Sequence, residues 1–157
     1  MVERDDGVRY RLEEGVAGAQ VPHDLVHFVV ERQLGEDRGF WGAVAAGAVF
    51  ASMKHLDGRR PPRAEHRSRA ALAERGSHLT RAELLAGLVQ DLADAGVRHG
   101  DEVRRRTREA LSTQVDVEVD PVVLVRAADE LQRVGQRWRE LAVGEELVIE
   151  WVGRLRR

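Results

Sequence analysis

The segment from Asp120 to Leu141 constrains this chain most. Asp120-Pro121 is a helix start: a side-chain acceptor followed by a residue whose missing N–H costs nothing at the first helical position. Leu124, Ala128, Leu131, Val134, Trp138 and Leu141 then repeat at helical spacing. One such amphipathic helix must bury its stripe against other helices or a sheet.

Similar patterns recur upstream. Pro22 opens a second helix, Asp24 falls in its first turn beside the positive end of the helix dipole, and Gly35 suits its C-terminal cap. Leu25, Val26, Phe28, Val29, Val30 and Leu34 cover more than one face, so this helix is expected to be largely buried. A third helix is expected from Asp37 to Leu56, with Gly39, Ala43, Gly47 and Ala51 as a small-residue stripe for close packing. Asp57 to Arg63 breaks the chain with a turn and two prolines. Ala64 to Arg75 reads as a short polar helix or a loop. Thr80 and Glu83 form a capping box ahead of Leu84, Leu85, Leu88, Val89 and Leu92. Asp101 caps a further helix to Leu111.

Strand patterns are confined to short stretches. Val8, Tyr10 and Leu12 alternate with arginines, and Leu147, Ile149 and Trp151 alternate with Val148, Glu150 and Val152. Residues 115–120, VDVEVD, alternate as well and read as a strand or extended linker. Glu13 to Gln20 is a Gly/Ala-rich loop. The expected fold is therefore mainly α (α+β): about five helices and a small antiparallel sheet formed by N- and C-terminal strands. Its 157 residues amount to one domain, 1–157.

The chain has no cysteine, so disulfides and thiolate chemistry are excluded, and any metal must bind through His, Asp or Glu. A charged fraction of 33% nearly cancels to a formal net charge of -2, which argues against a dedicated nucleic-acid or membrane-surface protein. The longest mostly apolar run, Phe40 to Met53, has 14 residues and is too short to span a bilayer. With a charged N-terminus in place of a secretory signal, a cytoplasmic location is expected. Lys54 is the one lysine among 25 basic residues, a coding bias of GC-rich genomes.

The sharpest chemical pattern is VPHDLVHF. His23 and His27 stand four apart, so a helix sets both imidazoles on one face, with Cβ atoms about 5–6 Å apart. Two such nitrogens can each reach a zinc at about 2.0–2.1 Å. In His-Glu-x-x-His enzymes the residue after the first histidine is the general base; here it is Asp24, one methylene shorter. A zinc hydrolase-like site would thus use His23 and His27 as ligands and Asp24 as catalytic base. A third ligand is needed. Glu31 lies about 6 Å further along by the helix rise and is poorly placed to share the metal, which leaves His55, Asp57, Glu65 and His66. The competing expectation is two histidines on an ordinary packing helix, with Asp24 serving the helix end.

Arg104, Arg105, Arg106 and Arg108, and separately Arg59, Arg60, Arg63, Arg67 and Arg69, form basic clusters that could touch phosphates. No aromatics interleave with them, and Asp101, Glu102 and Glu109 stand close by, so nucleic-acid binding is not expected to be the main role. Trp41, Trp138 and Trp151 sit in periodic apolar patterns and are expected at the core and its edge.

The stretches PHDLVHFVVE and GFWGAVAAGAVF, residues 22–31 and 39–50, resemble a group of uncharacterised bacterial proteins from GC-rich genomes. The closing W-x-x-L-x-x-G-x-x-L-x-I-x-W pattern, Trp138 to Trp151, is similar to their ending. The resemblance implies a stand-alone small bacterial protein and carries no activity, cofactor or partner. The leading expectation is a small binding or interaction domain. It would self-associate as a homo-oligomer through the Gly39/Ala43/Gly47/Ala51 stripe or through surplus apolar surface on the first two helices. The zinc site is the first alternative and arginine-mediated phosphate or nucleic-acid binding the second.

Overall fold

A computed structural model describes residues 1–13, 21–114 and 118–152. Four helices build the main core: α1 (His23–Leu34), α4 (Gly76–Asp94), α5 (Gly100–Ala110) and α6 (Pro121–Arg139). α1 packs on α4 and α6, α4 packs on α6, and α5 closes against both α4 and α6. The stripe on α6 supplies Leu124, Ala128, Leu131 and Val134 to this core. They meet Leu25, Val26, Val29 and Val30 of α1 and Leu85, Leu88, Val89 and Leu92 of α4. Trp138 is partly buried at the edge. Asp120 caps α6 by accepting from Val122 N at 2.9 Å, and Gly35 ends α1 in the left-handed region at φ 72°.

Among the described residues two further helices complete the α-rich part, α2 (Phe40–Ala45) and α3 (Ala64–Glu74). A three-stranded antiparallel sheet runs in the order β1 (Val2–Glu3), β2 (Arg9–Leu12), β3 (Met53–Asp57). Tyr10 pairs with Val2 on one side and His55 on the other, and a bulge lies between Arg9 and Tyr10. The sheet covers a second apolar cluster of Val2, Val8, Tyr10, Val44 and Met53, with Phe40, Trp41 and Phe50 packed against it.

The mainly-α class with a small antiparallel sheet therefore stands, but the strand beside the N-terminal hairpin is Met53–Asp57 and not the C-terminal segment. β2 already has a neighbour on each edge. Residues 147–152 carry no strand assignment. Their alternation serves the helices instead: Leu147 and Ile149 pack on the main core, and Trp151 meets the edge of Phe28 with ring centroids 5.7 Å apart.

The single helix expected over 37–56 is not formed. α2 stops at Ala45, and Gly47 adopts φ 101°, which a side chain disfavours. A Gly-rich run has weak helical preference, and its bulky members gain more by covering the sheet. The small-residue stripe therefore does not exist as a helix face, and the self-association surface built on it falls with it. Among the described residues the large exposed hydrophobics are Met1, Leu56, Val122, Val143, Val148 and Val152; of these only Leu56 falls in the segments expected as the first two helices, and none lies on α1 or α2.

Two helix starts also differ. α4 begins at Gly76, so Thr80 and Glu83 lie inside it, and the Thr80 hydroxyl donates to Gly76 O at 3.2 Å. α5 is entered at His99, with Asp101 in its first turn. The expected loop at 13–20, apart from Glu13, and residues 115–117 of the alternating segment lie outside the described residues. No described helix is long and apolar enough to cross a membrane.

Candidate metal centre

Helical spacing on α1 brings His23 and His27 together as expected. Their ring centroids are 4.7 Å apart at an interplanar angle of 71°. The third member of the group comes from α4. Glu83 Oε2 lies 3.3 Å from His27 Nε2 and 3.7 Å from His23 Nε2. One ligand atom from each of these three residues falls within 4.8 Å of the other two. The apolar stripes of α1 and α4 set this register, and Ala82 and Ala86, both buried, flank Glu83 on α4.

The two histidines differ sharply in environment. The His23 side chain is 66% exposed and that of Glu83 60%, whereas His27 is 2% exposed. His27 Nδ1 faces Glu31 Oε1 at 3.0 Å. Its Nε2 is buried and meets no partner in full hydrogen-bond geometry, with Glu83 Oε2 standing 3.3 Å away. Burial works against the charged imidazole. The Glu31 hydrogen bond and the nearby charges of Glu83 and Glu31 outweigh it, so the His27 pKa is raised above its ordinary value.

Glu31, set aside as a metal ligand on spacing, has a role that the sequence did not show. Its side chain is fully buried. It accepts from Phe40 N at 2.8 Å and from Trp41 N at 3.0 Å, so it caps the first turn of α2 from another helix. Trp41 Nε1 in turn donates to Asp24 O at 2.9 Å. The expectation that Glu31 would not share a metal with both histidines agrees with its place on the far ring nitrogen of His27.

Asp24 is not part of the His–His–Glu group. Its Oδ1 accepts from Leu25 N at 2.9 Å, the helix-end role. The four residues considered as a third ligand, His55, Asp57, Glu65 and His66, lie elsewhere: His55 Nε2 pairs with Gly58 O, Asp57 with Arg9, and Glu65 and His66 lie on exposed α3. Glu83 was hidden because a Thr-x-x-Glu pattern already accounted for it. The readable signal was its position on the edge of the α4 apolar stripe.

Three of the four α5 arginines are taken up by acids: Arg104 pairs with Asp101, Arg105 with Glu102 and Glu109, and Arg106 with Glu102 and Asp91, while Arg108 is exposed. The Glu102 carboxyl is held down at about 2 by hydrogen bonds from Arg105 and Arg106. Arg59, Arg60, Arg63, Arg67 and Arg69 are exposed.

No protein-family model, curated protein or solved structure matches this chain.

Proposed function

We propose that the chain binds a divalent transition-metal ion of the zinc class through His23, His27 and Glu83. The observation that carries this reading is the buried Nε2 of His27, left without a hydrogen bond and turned toward the Glu83 carboxylate beside a second imidazole. A buried imidazole nitrogen without a partner is costly, and a metal ion is the partner that two imidazoles and a carboxylate suit. Ligands at about 2.0–2.1 Å from a tetrahedral zinc stand about 3.3–3.4 Å apart. Glu83 and His27 already meet that spacing at 3.3 Å, and the exposed His23 is free to swing inward.

Two histidines and one glutamate leave a coordination position for water, the arrangement of catalytic rather than structural zinc. The reaction class this supports is hydrolysis by metal-activated water. Asp24, turned to its own helix end, is not assigned the role of base.

Elemental analysis of untagged protein purified without chelator tests the reading. About one equivalent of metal is expected in the parent, with none retained by His27→Ala and sharply less by His23→Ala and Glu83→Ala. A folded parent that neither carries nor takes up zinc, cobalt, nickel or manganese would overturn it.

A further inference from the structure

Glu31 is an unusual residue to find inside a helix pair. It is fully buried, yet among the described residues it pairs with no arginine or lysine; its partners there are two backbone amides and one imidazole. Capping a six-residue helix does not require it, because an Asp or Ser at position 39 would do so locally. Position 39 is instead Gly. A Cβ there would fall 2.5 Å from Glu31 Cδ and 2.7 Å from each carboxylate oxygen. The Gly39 backbone, at φ -71° and ψ -156°, is extended and open to any residue. Its glycine is thus demanded by the carboxylate and not by the chain path.

We propose that Glu31, seated by Gly39 and the first two amides of α2, is the positioning residue of the metal centre. It holds the Nδ1 proton of His27 and so presents Nε2 as the ligand lone pair. The inference rests on the metal reading above and adds what tunes the site. A carboxylate on the far nitrogen of a metal-bound histidine fixes tautomer and ring orientation, and its loss typically lowers metal affinity about 10–100-fold. Gly39 touches no ligand, but it controls the site through Glu31.

The test compares the parent with Glu31→Gln and Gly39→Ala by zinc affinity against a chromophoric chelator, by the Co(II) visible spectrum, and by imidazole ¹⁵N shifts of the metal-free proteins. The expected result is zinc binding weakened about 10–100-fold in both variants, an altered Co(II) spectrum, and a His27 Nδ1–H tautomer present in the parent and lost in Glu31→Gln. Should Glu31→Gln fail to fold, Gly39→Ala carries the test. A parent that binds zinc, with variants that match its affinity and spectrum, would overturn the positioning role and leave the metal reading intact. A parent that binds no zinc while keeping the Nδ1–H tautomer would place the fault in the metal reading itself, and the positioning role would fall with it. A purely structural Glu31 would lower the melting temperature and leave affinity, spectrum and tautomer unmoved.

Discussion

Glu31 Oε1 and His27 Nδ1 stand 3.0 Å apart inside the protein, one helical turn from each other. This pair joins the two apolar clusters. His27 belongs to the helix that packs on α4 and α6, whereas the carboxyl of Glu31 holds the start of α2, which covers the sheet.

The pair sets a pH dependence for the metal-free protein. The folded-state pKa of His27 lies above its ordinary 6.5. The unfolded chain therefore binds fewer protons than the folded one between those two values, and stability falls as pH rises there. The contribution is complete below about pH 6.5 and is lost as pH climbs through the raised value. With chelator present, the stability gap between the parent and His27→Gln should be widest below about pH 6.5 and narrow as pH rises above it in denaturant titrations. A gap that grows with pH would contradict this account of His27.

The next contrast lies between two glycines. A Cβ at Gly42 would sit well inside the van der Waals contact of the Asp37 backbone carbonyl, and backbone cannot move aside as a side chain can. Gly87, an exposed position on α4, has nothing within 4 Å of the same added atom. Gly42→Ala should destabilise by about 2–3 kcal/mol through overpacking. Gly87→Ala should stabilise by about 0.5–1 kcal/mol through helix propensity. Equilibrium unfolding in urea measures both, and equal effects at the two sites would refute the close approach of α2 to Asp37.

Several of these relationships were legible in the sequence, and the reasons others were not are physical. Helices α1 and α6 could be read because a periodic stripe, a proline start and a cap all agree. The run from Phe40 to Met53 could not, since its small residues fit a helix and its bulky ones fit a sheet cover; tertiary packing decided for the second. The C-terminal alternation of Leu147, Ile149 and Trp151 suits any extended chain with one apolar side, whether or not it pairs. At the site, His23 and His27 were visible because their relation is local. Glu83 is far away in sequence and is placed by the register of α4 on α1, which depends on side-chain interdigitation that no single segment encodes. Glu31 was weighed only as a metal ligand and set aside on spacing, because its actual role depends on Gly39 and α2 folding back over it.

Ser68 gives a test of how α3 is held. Its buried hydroxyl accepts from Val49 N at 2.9 Å and donates to Val49 O at 3.3 Å, so one side chain satisfies both backbone groups of a residue beyond α2. Around it Ala43, Ala48 and Ala71 form a small buried cluster, with Phe50, Leu72 and Leu79 packed against it. Ser68→Ala removes both bonds and leaves the Val49 amide and carbonyl without them, at a cost of about 1–3 kcal/mol. Hydrogen exchange should show the Val49 amide losing protection in the variant. Unchanged protection would mean that α3 is docked by its other contacts, Ala71 and Leu72 among them, and not by Ser68.

Two of the three Ser/Thr/Asp starts that the sequence marks as caps, Asp120 and Thr80, should behave oppositely. Asp120 lies at the boundary of α6 and its carboxylate accepts the Val122 amide at 2.9 Å, one of the four first-turn donors that the helix itself cannot satisfy. Asp120→Ala should therefore cost about 1 kcal/mol. Thr80 lies one turn inside α4, and its hydroxyl bonds back to Gly76 O at 3.2 Å, a carbonyl already used by the helix ladder. It is exposed, β-branched and not a cap, so Thr80→Ala should gain a few tenths of a kcal/mol from helix propensity, on the order of 0.5 kcal/mol at most. Thermal melts of the two variants under the same conditions decide the matter. Destabilisation of about 1 kcal/mol by Thr80→Ala would move the true start of α4 to Thr80, shorten the helix by one turn, and change the lever that brings Glu83 to the histidines.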